Sequence, residues 1–200
     1  SFYMIKKILI IGSGSIAQRH LKNLKKIRKN FNYFLISSRT LTNLKKKNYT
    51  KIINFNPDYI LICSPSPYHY RHLKFVEKNF NKKMVLIEKP IFTKFEKFNK
   101  KLKNKYYVGY NLRFHPVIKF LKKYLKGKKC YFVRVNCSSY LPNWRKKNYT
   151  KSVSSQKKLG GGVLLELSHE IDYLLWIFKK IKILKAFNKK ISNLKIDADD

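Results

Sequence analysis

Acidic residues are scarce in this chain of 200 residues: 10 Asp and Glu face 46 Lys and Arg, and the formal net charge is +36. Such a surplus attracts polyanions, so nucleic acid and anionic membranes are candidate partners. Only seven of the basic residues are arginine, and the lysines are spread along the whole sequence. We therefore expect a solvated, lysine-rich surface and no specific nucleic-acid partner.

Cysteines and long apolar runs are also scarce. The three cysteines form no C-x-x-C pair, which argues against a disulfide framework and against a zinc site, so we predict no metal. The longest apolar runs are far shorter than the ~20 residues that a membrane span needs, and no signal-peptide pattern opens the chain. We expect a soluble, cytoplasmic protein with no membrane partner. The 44% of hydrophobic residues suffices for a sizeable core.

The first part of the chain alternates short apolar runs with lysine-rich amphipathic stretches, which is typical of β-α units in a parallel sheet. The pattern predicts a doubly wound α/β domain over residues 1–116. Helices are predicted at 16–29, at 69–79 and before the last strand. Six strands are predicted, at 7–11, 33–37, 51–55, 59–63, 84–87 and 106–110.

Residues 117–200 carry too few elements to cover a second core. Helices are predicted at 117–126 and 163–178, and strands at 130–140 and 182–188. This composition favours a partial α+β domain with an open sheet.

A glycine fingerprint follows the first predicted strand and opens a predicted helix. The segment Gly12-Ser13-Gly14-Ser15-Ile16-Ala17 fits G-x-G-x-x-G/A. The first glycine permits a tight turn, the second lets backbone approach a pyrophosphate, and the alanine lets helix and strand pack closely. The N-terminus of the helix would then stabilise the phosphates, so this segment predicts a dinucleotide site.

The end of the second strand has no carboxylate. An NAD site commonly places Asp or Glu there to bind the ribose 2′-hydroxyl. This chain has Ser37-Ser38-Arg39 instead. Ser38 and Arg39 could bind a 2′-phosphate, which favours NADP over NAD; in the alternative, Arg39 stacks on adenine or faces solvent.

Two further motifs concentrate the rare acids. Glu88 and Lys89 follow directly after the strand at 84–87, where a doubly wound sheet presents groups to its ligand. A partly desolvated lysine there can transfer a proton. His169 follows a glycine triplet, with Glu166 and Asp172 three residues to either side, so one helical face would carry all three. Metal binding there is the weaker alternative, because the spacing matches no metal motif.

Together these segments resemble the Gfo/Idh/MocA family of oxidoreductases. The resemblance covers essentially the whole chain and rests on these segments: IGSGSIAQRH (11–20), ICSPSPYH (62–69), EKP (88–90), GYNLRFHP (109–116), YLPNWR (140–145) and GGGVLLELSHEID (160–172). It implies a Rossmann domain followed by an α+β domain whose open sheet binds the substrate and forms the oligomer interface. Because members of the family continue with further strands, the resemblance also implies that this chain is truncated at its C-terminus and forms a homo-oligomer when full length. The implied activity is NAD(P)-dependent hydride transfer on a CH–OH group of a sugar or nucleotide sugar.

The resemblance also implies residue roles. Lys89 would be the catalytic acid/base and His169 would hold the substrate hydroxyl. Cofactor contacts are expected from Gly12, Gly14, Ser15, Ile16, Ala17, Ser38, Arg39, Pro65, His69 and Glu88. Substrate contacts are expected from Asn111, Arg113, Trp144, Arg145, Glu166 and Asp172. Glu166 departs from the family pattern, which has an acid four residues before the histidine. The alternatives are a non-catalytic dinucleotide-binding or scaffold protein and a basic nucleic-acid binder.

Overall fold

The computed structural model describes residues 6–27, 30–43, 45–97, 101–144 and 148–200. The chain divides into two compact units, Ser1–Gly109 and Tyr110–Asp200. The sequence pattern predicts the boundary between the two domains after residue 116, and this position stays a prediction.

The first unit is built on a five-stranded parallel sheet, which confirms the predicted α/β class. Its strands are β1 (Lys7–Ile11), β2 (Asn32–Ile36), β3 (Tyr59–Ile62), β4 (Met84–Ile87) and β5 (Lys105–Val108). Their order in the sheet is β2-β1-β3-β4-β5. The order reverses between β1 and β3, and doubly wound sheets bind ligands beside such a switch point.

Among the residues that the structure describes, the first unit has the α-helices α1 (Ser15–Ile27), α2 (Ser38–Thr42), α3 (Lys46–Phe55) and α4 (His69–Asn79), and a short 3-10 turn at Ser66–Tyr68. Alternate residues of β1 pack into two separate cores. Ile8 and Ile10 lie in one core with Ala17 of α1, and Leu9 and Ile11 lie in the other with residues of α2, α3 and α4. The sheet is therefore covered on both faces, which is why its strands are continuous apolar runs.

Two predicted elements of this unit are wrong. Residues 51–55, predicted as a strand, form the second half of α3. Ile52 is fully buried there, and Tyr49 and Ile53 lie within one turn of it on the same helix, so the apolar residues follow the helical period. The helix predicted before β5 does not occur among residues 88–97 and 101–104.

The second unit contains α5 (Pro116–Tyr124), α6 (Val163–Glu166) and α7 (His169–Phe178). Short 3-10 turns lie at Asn111–Phe114, Leu141–Trp144, Tyr149–Lys151 and Lys157–Leu159. The helix predicted over 163–178 is interrupted at Leu167 and Ser168. The Asp199 carbonyl and carboxylate accept the backbone N–H groups of Val163 and Leu164, which fixes the start of α6.

The described residues of the second unit contain no strand, contrary to the open sheet expected there. The segments 130–140 and 182–188 are neither helix nor strand. Their apolar side chains are largely exposed, with Tyr131 at 84%, Leu184 at 87% and Phe187 at 76%. A strand is defined by a ladder of hydrogen bonds to a neighbour, and alternation of apolar residues alone does not supply that neighbour.

Candidate functional site

The carboxyl ends of the five strands lie level with one another. Ile11 pairs with Ile36 and with Ile62, Ile62 pairs with Ile87, and Ile87 pairs with Val108. The residues that follow the strands therefore share one edge of the sheet. They are Gly12, Ser37, Cys63, Glu88 and Gly109.

The glycine turn has the geometry of a phosphate-binding loop. Gly12 has φ +113°, and a Cβ there would lie 2.6 Å from the carbonyl carbon of Cys63. A Cβ on Gly14 would meet nothing within 4 Å, so this position borders open space at the start of α1. The first turn of α1 holds no acidic residue that would repel an anion. This turn thus fits the pyrophosphate of a dinucleotide.

The remaining residues of the fingerprint, Ser15, Ile16 and Ala17, lie in the first turn of α1. Ala17 is fully buried against the sheet, which lets α1 approach β1. Ser15 is exposed and Ile16 is half-buried at the first turn of α1. These residues are brought together with Gly12 and Gly14 at the switch point of the sheet.

The turn after β2 places Ser38 and Arg39 at the start of α2. The Ser37 hydroxyl accepts the Thr40 N–H at 3.0 Å and caps this helix. Ser38 is half-buried and Arg39 is exposed. No acidic residue lies in the first turn of α2, so this turn presents hydroxyl groups and a guanidinium but no carboxylate.

His69 lies in the interior of the first unit, 1% exposed. Its Nε2 is 2.8 Å from the Ser64 carbonyl oxygen and its Nδ1 is 3.0 Å from the Pro90 carbonyl oxygen. Burial lowers the pKa of His69, although these backbone hydrogen bonds act in the opposite direction. The ring therefore ties the turn after β3 to the segment after β4. Pro65, in the first of these, is half-buried.

Glu88 and Lys89 stand directly after β4. The Glu88 Oε1 lies 2.6 Å from Nε2 of His20, which belongs to α1. Lys89 is half-buried at the same edge. His20 was given no role by the sequence reasoning, although the segment IGSGSIAQRH contains it. The one sequence feature that could have indicated a role for His20 is its position three residues after Ala17, on the helix that follows the glycine turn.

The second unit brings together some of the residues expected to contact substrate. Arg113 forms a bidentate ion pair with Asp172. Its Nε donates to Oδ2 at 2.8 Å and its Nη2 donates to Oδ1 at 2.5 Å. The hydrogen bonds to Asp172 raise the pKa of Arg113. His169 begins α7 and packs edge-on against Tyr110, with 5.6 Å between ring centroids. Asn111 is exposed in the neighbouring 3-10 turn.

The expected single face of Glu166, His169 and Asp172 is not formed as predicted. Glu166 ends α6 whereas His169 begins α7. The break allows Glu166 to turn toward Ser154, whose hydroxyl donates to Oε1 at 2.9 Å. The carboxylate of Asp172 is engaged by Arg113.

Trp144 and Glu166 line the same cavity of about 520 Å³ in the second unit. The Trp144 indole N–H donates to the Ser139 hydroxyl at 2.5 Å. An indole ring, hydroxyl groups and a carboxylate are the side chains that suit a polar ligand with C–H faces. Arg145, predicted beside Trp144, lies outside the described residues.

Two classes of site are absent from the part of the chain that the structure describes. No group of three or more His, Cys, Asp or Glu side chains there could hold a metal ion. None of its helices has the length and apolar character needed to cross a bilayer.

Comparison with solved structures finds the same fold in dehydrogenases. The WlbA dehydrogenase from Bordetella pertussis, in complex with NADH and UDP-GlcNAcA, is 17% identical with a TM-score of 0.69, and the match covers 97% of this chain and 64% of that one. The WlbA (WbpB) dehydrogenase from Thermus thermophilus, in complex with NAD and UDP-GlcNAcA, is 18% identical with a TM-score of 0.60, covering 86% and 63%. An oxidoreductase from Thermotoga maritima is 17% identical with a TM-score of 0.69, covering 98% and 66%.

The chain thus spans less than two thirds of the length of these structures, between 63% and 66%. No match was found among curated proteins. A family model does match: GFO_IDH_MocA, described as an oxidoreductase family with an NAD-binding Rossmann fold, aligns with residues 6–105. Because that match covers half of the chain and contains the glycine turn, the strands β1 to β4 and the Glu88-Lys89 edge, the chain belongs to the Gfo/Idh/MocA family of NAD-binding oxidoreductases.

Proposed function

We propose that this protein is a dehydrogenase that transfers hydride between a nicotinamide dinucleotide and a CH–OH carbon of a sugar or nucleotide sugar. The observation that carries the proposal is the shared edge of the sheet. It places the glycine turn, with Gly12 and Gly14, at the same edge as the half-buried Lys89. A dinucleotide bound at this turn would extend along the edge that carries the lysine.

Residues of both units would bind the cofactor, transfer the proton and hold the substrate. The backbone N–H groups at the start of α1 bind the pyrophosphate, because the turn brings free donors and the positive end of the helix to one place. Lys89 takes the proton from the hydroxyl oxygen bonded to the substrate carbon that loses its hydride. His169 holds the substrate hydroxyl. The bound nicotinamide supplies the hydride chemistry itself.

The substrate class is drawn from the relatives and from the second unit. The two WlbA structures hold UDP-GlcNAcA, which is a nucleotide sugar. The cavity that Trp144 and Glu166 share offers a ring face and a carboxylate, which suits sugar C–H groups and hydroxyls. The Arg113 guanidinium is available to bind an anionic group if substrate displaces Asp172.

The preference for NADP is a finer part of the proposal. The turn after β2 has Ser38 and Arg39 and no carboxylate, which supports acceptance of a 2′-phosphate. The WlbA structures hold NAD or NADH, so a preference for NAD is the alternative to be tested. The double substitution Ser38→Asp with Arg39→Ala should shift preference toward NADH. An equal loss of affinity for both cofactors would reject the NADP assignment.

A fluorescence titration with NADH and with NADPH tests the cofactor site. The unmodified chain should bind at least one of them saturably. Gly14→Trp should abolish binding, because its side chain would occupy the open space at the start of α1. Lys26→Trp is the control, since it adds the same bulk at an exposed position in the last turn of the same helix. Equal binding by both variants would reject the site.

Turnover of nucleotide sugars tests the chemistry. Lys89→Ala should lower the rate of nicotinamide reduction by at least ~100-fold, the usual effect of losing a general acid or base, while cofactor affinity stays within about threefold. Retained turnover in Lys89→Ala would exclude this lysine as the acid/base. Saturable cofactor binding without turnover on any sugar tried would favour the non-catalytic, dinucleotide-binding alternative.

A further inference from the structure

A histidine of the glycine-turn helix contacts the acid that precedes Lys89. His20 and Glu88 are 68 residues apart in sequence, and their side chains meet at 2.6 Å. Both are largely enclosed, with 24% and 15% of their side chains exposed. β3 lies between β1, which leads into α1, and β4, which leads into Glu88. The contact therefore spans the switch point of the sheet.

The Glu88 side chain has little freedom to point elsewhere. Its backbone N–H donates to the Ile62 carbonyl at 2.9 Å, which continues the ladder between β3 and β4 by one residue. Gly109 packs against the carboxylate so closely that a Cβ there would lie 3.1 Å from Oε1. Backbone on one side and His20 on the other thus fix the direction of this carboxylate.

Glu88 contacts a histidine although the chain is rich in lysine and arginine. With 46 Lys and Arg available in the sequence, Glu88 is nevertheless paired with one of only five histidines. A lysine or arginine loses much rotamer entropy when it is held in one geometry, whereas an imidazole has only two side-chain torsions to fix. A short, rigid link is what accurate placement of a neighbouring group requires.

We infer that His20 is a positioning residue that couples the dinucleotide-binding turn to Lys89. A dinucleotide at the N-terminus of α1 holds this helix in place. Through His20 and Glu88 the helix then holds the backbone from which Lys89 projects. The inference rests on the proposed function, since it presumes that the glycine turn binds a dinucleotide. Binding and lysine placement are then linked, and each favours the other.

Two measurements on the same variants test this coupling. The first is NADH affinity, in a cycle of His20→Ala, Glu88→Gln and the double variant. The second is the rate at which an amine-reactive reagent modifies Lys89, read by mass spectrometry with and without NADH. Lys105, an exposed lysine at the opposite end of the sheet, provides an internal reference for reagent activity. Thermal unfolding of each variant shows whether the fold is retained.

His20→Ala should weaken NADH binding by about three- to tenfold, the size of a typical coupling between contacting side chains. NADH should protect Lys89 from modification in the unmodified chain, and this protection should be lost in His20→Ala. The double variant should bind no more weakly than the weaker single variant. His20→Gln should restore both properties, because its amide nitrogen is as many bonds from Cα as the imidazole Nε2.

Glu96→Gln is the matched control, since it removes an acid from the segment after Lys89 whose ion-pair partner is Lys94 rather than His20. It should leave NADH affinity and Lys89 protection unchanged. Additive losses in the cycle, or full protection of Lys89 in His20→Ala, would overturn the inference. If the unmodified chain binds NADPH but not NADH, the same measurements are made with NADPH. If it binds neither cofactor, the proposed function fails instead, so the two failures are distinct. If His20→Ala unfolds, His20→Leu decides the same question, because leucine keeps much of the ring's volume but cannot hydrogen-bond to Glu88.

Discussion

The two glycines of the fingerprint are constrained in opposite ways. Gly12 is buried, has φ +113°, and has the backbone of Cys63 and Ser64 where a Cβ would stand. Gly14 has no neighbour within 4 Å of that position. The first glycine is therefore needed by the fold, and the second leaves room for a ligand.

Gly12→Ala should lower the free energy of unfolding by about 3 kcal/mol or more, because it combines a left-handed backbone with a backbone clash. Gly14→Ala should lower it by less than ~1 kcal/mol, the usual range away from such strain. Urea unfolding of both variants measures the difference. Equal losses would contradict the assignment of separate roles.

His72 is a second residue whose setting has a measurable consequence. It is 1% exposed, and its Nδ1 lies 2.8 Å from the Ser64 hydroxyl. Burial, followed by the charges of His69 and Arg71, lowers the pKa of His72 to about 4 from 6.5. The ring is thus neutral in the folded chain at neutral pH, and it must take up a proton when the chain unfolds in mild acid.

Stability should fall as pH falls from about 6.5 to about 4, because in that window the unfolded chain binds the His72 proton and the folded chain does not. At pH ~4.5 this proton uptake lowers the free energy of unfolding by about 2–3 kcal/mol. His72→Asn should show a smaller loss between neutral and acidic pH in urea unfolding. An unchanged loss would assign the acid sensitivity to other groups.

At the scale of elements, one carboxylate ties α4 to the start of β5. The Glu77 carboxylate accepts the Lys103 N–H at 2.9 Å, the Asn104 amide at 2.8 Å and the Tyr106 hydroxyl at 2.7 Å. Burial by itself raises the pKa of Glu77, but the hydrogen bonds from Lys103, Tyr106 and Asn104 outweigh it, so the pKa lies below the ordinary value. This anchor holds the edge strand at the end opposite the glycine turn.

Glu77→Gln should lower the free energy of unfolding by about 1–3 kcal/mol, because the amide cannot accept all three donors and leaves polar groups partly unsatisfied. Hydrogen exchange should quicken first in Lys105–Val108. NADH affinity should be unchanged, since the anchor lies away from the glycine turn. Exchange that quickens evenly over the whole sheet would show that β5 is not the element held by this anchor.

The accuracy of the sequence-based predictions also differs by element. β1, β3 and β4 are short apolar runs buried on both faces, and their bounds were predictable from that alone. Residues 51–55 read equally as a buried strand or as one helical turn, and only packing decides between them. The glycine turn has a local signature, whereas the His20–Glu88 contact joins segments 68 residues apart and has none.

For the molecule as a whole, the net charge is +36, and some of the lysines that produce it contact aromatic rings instead of solvent alone. Lysine ammonium groups lie over tyrosine or tryptophan rings in both units, for example Lys74 over Tyr70 at 5.0 Å and Lys122 over Trp176 at 3.5 Å. Such pairs use the apolar stem and the charge of lysine together. Lysines in these pairs have a structural reason to be present that involves no nucleic acid.

Binding to duplex DNA should therefore be purely electrostatic. Between 50 and 200 mM salt its affinity should fall by roughly 100-fold or more, equally for two unrelated sequences, as counterion release requires. NADH carries only two phosphates, so its affinity should fall by less than ~10-fold over the same range. Fluorescence titrations with both ligands make the comparison. A preference for one DNA sequence that survives high salt would restore the nucleic-acid alternative.

The close approach of Gly109 to Glu88 has a consequence for how the sequence can change over time. A methyl group at position 109 would lie 3.1 Å from Oε1 of Glu88, so the carboxylate would have to shift by a few tenths of an ångström to accept it. Such a shift would alter the contact between Glu88 and His20. We therefore expect the effects of substitutions at positions 20, 88 and 109, which lie in three separate segments, to depend on one another.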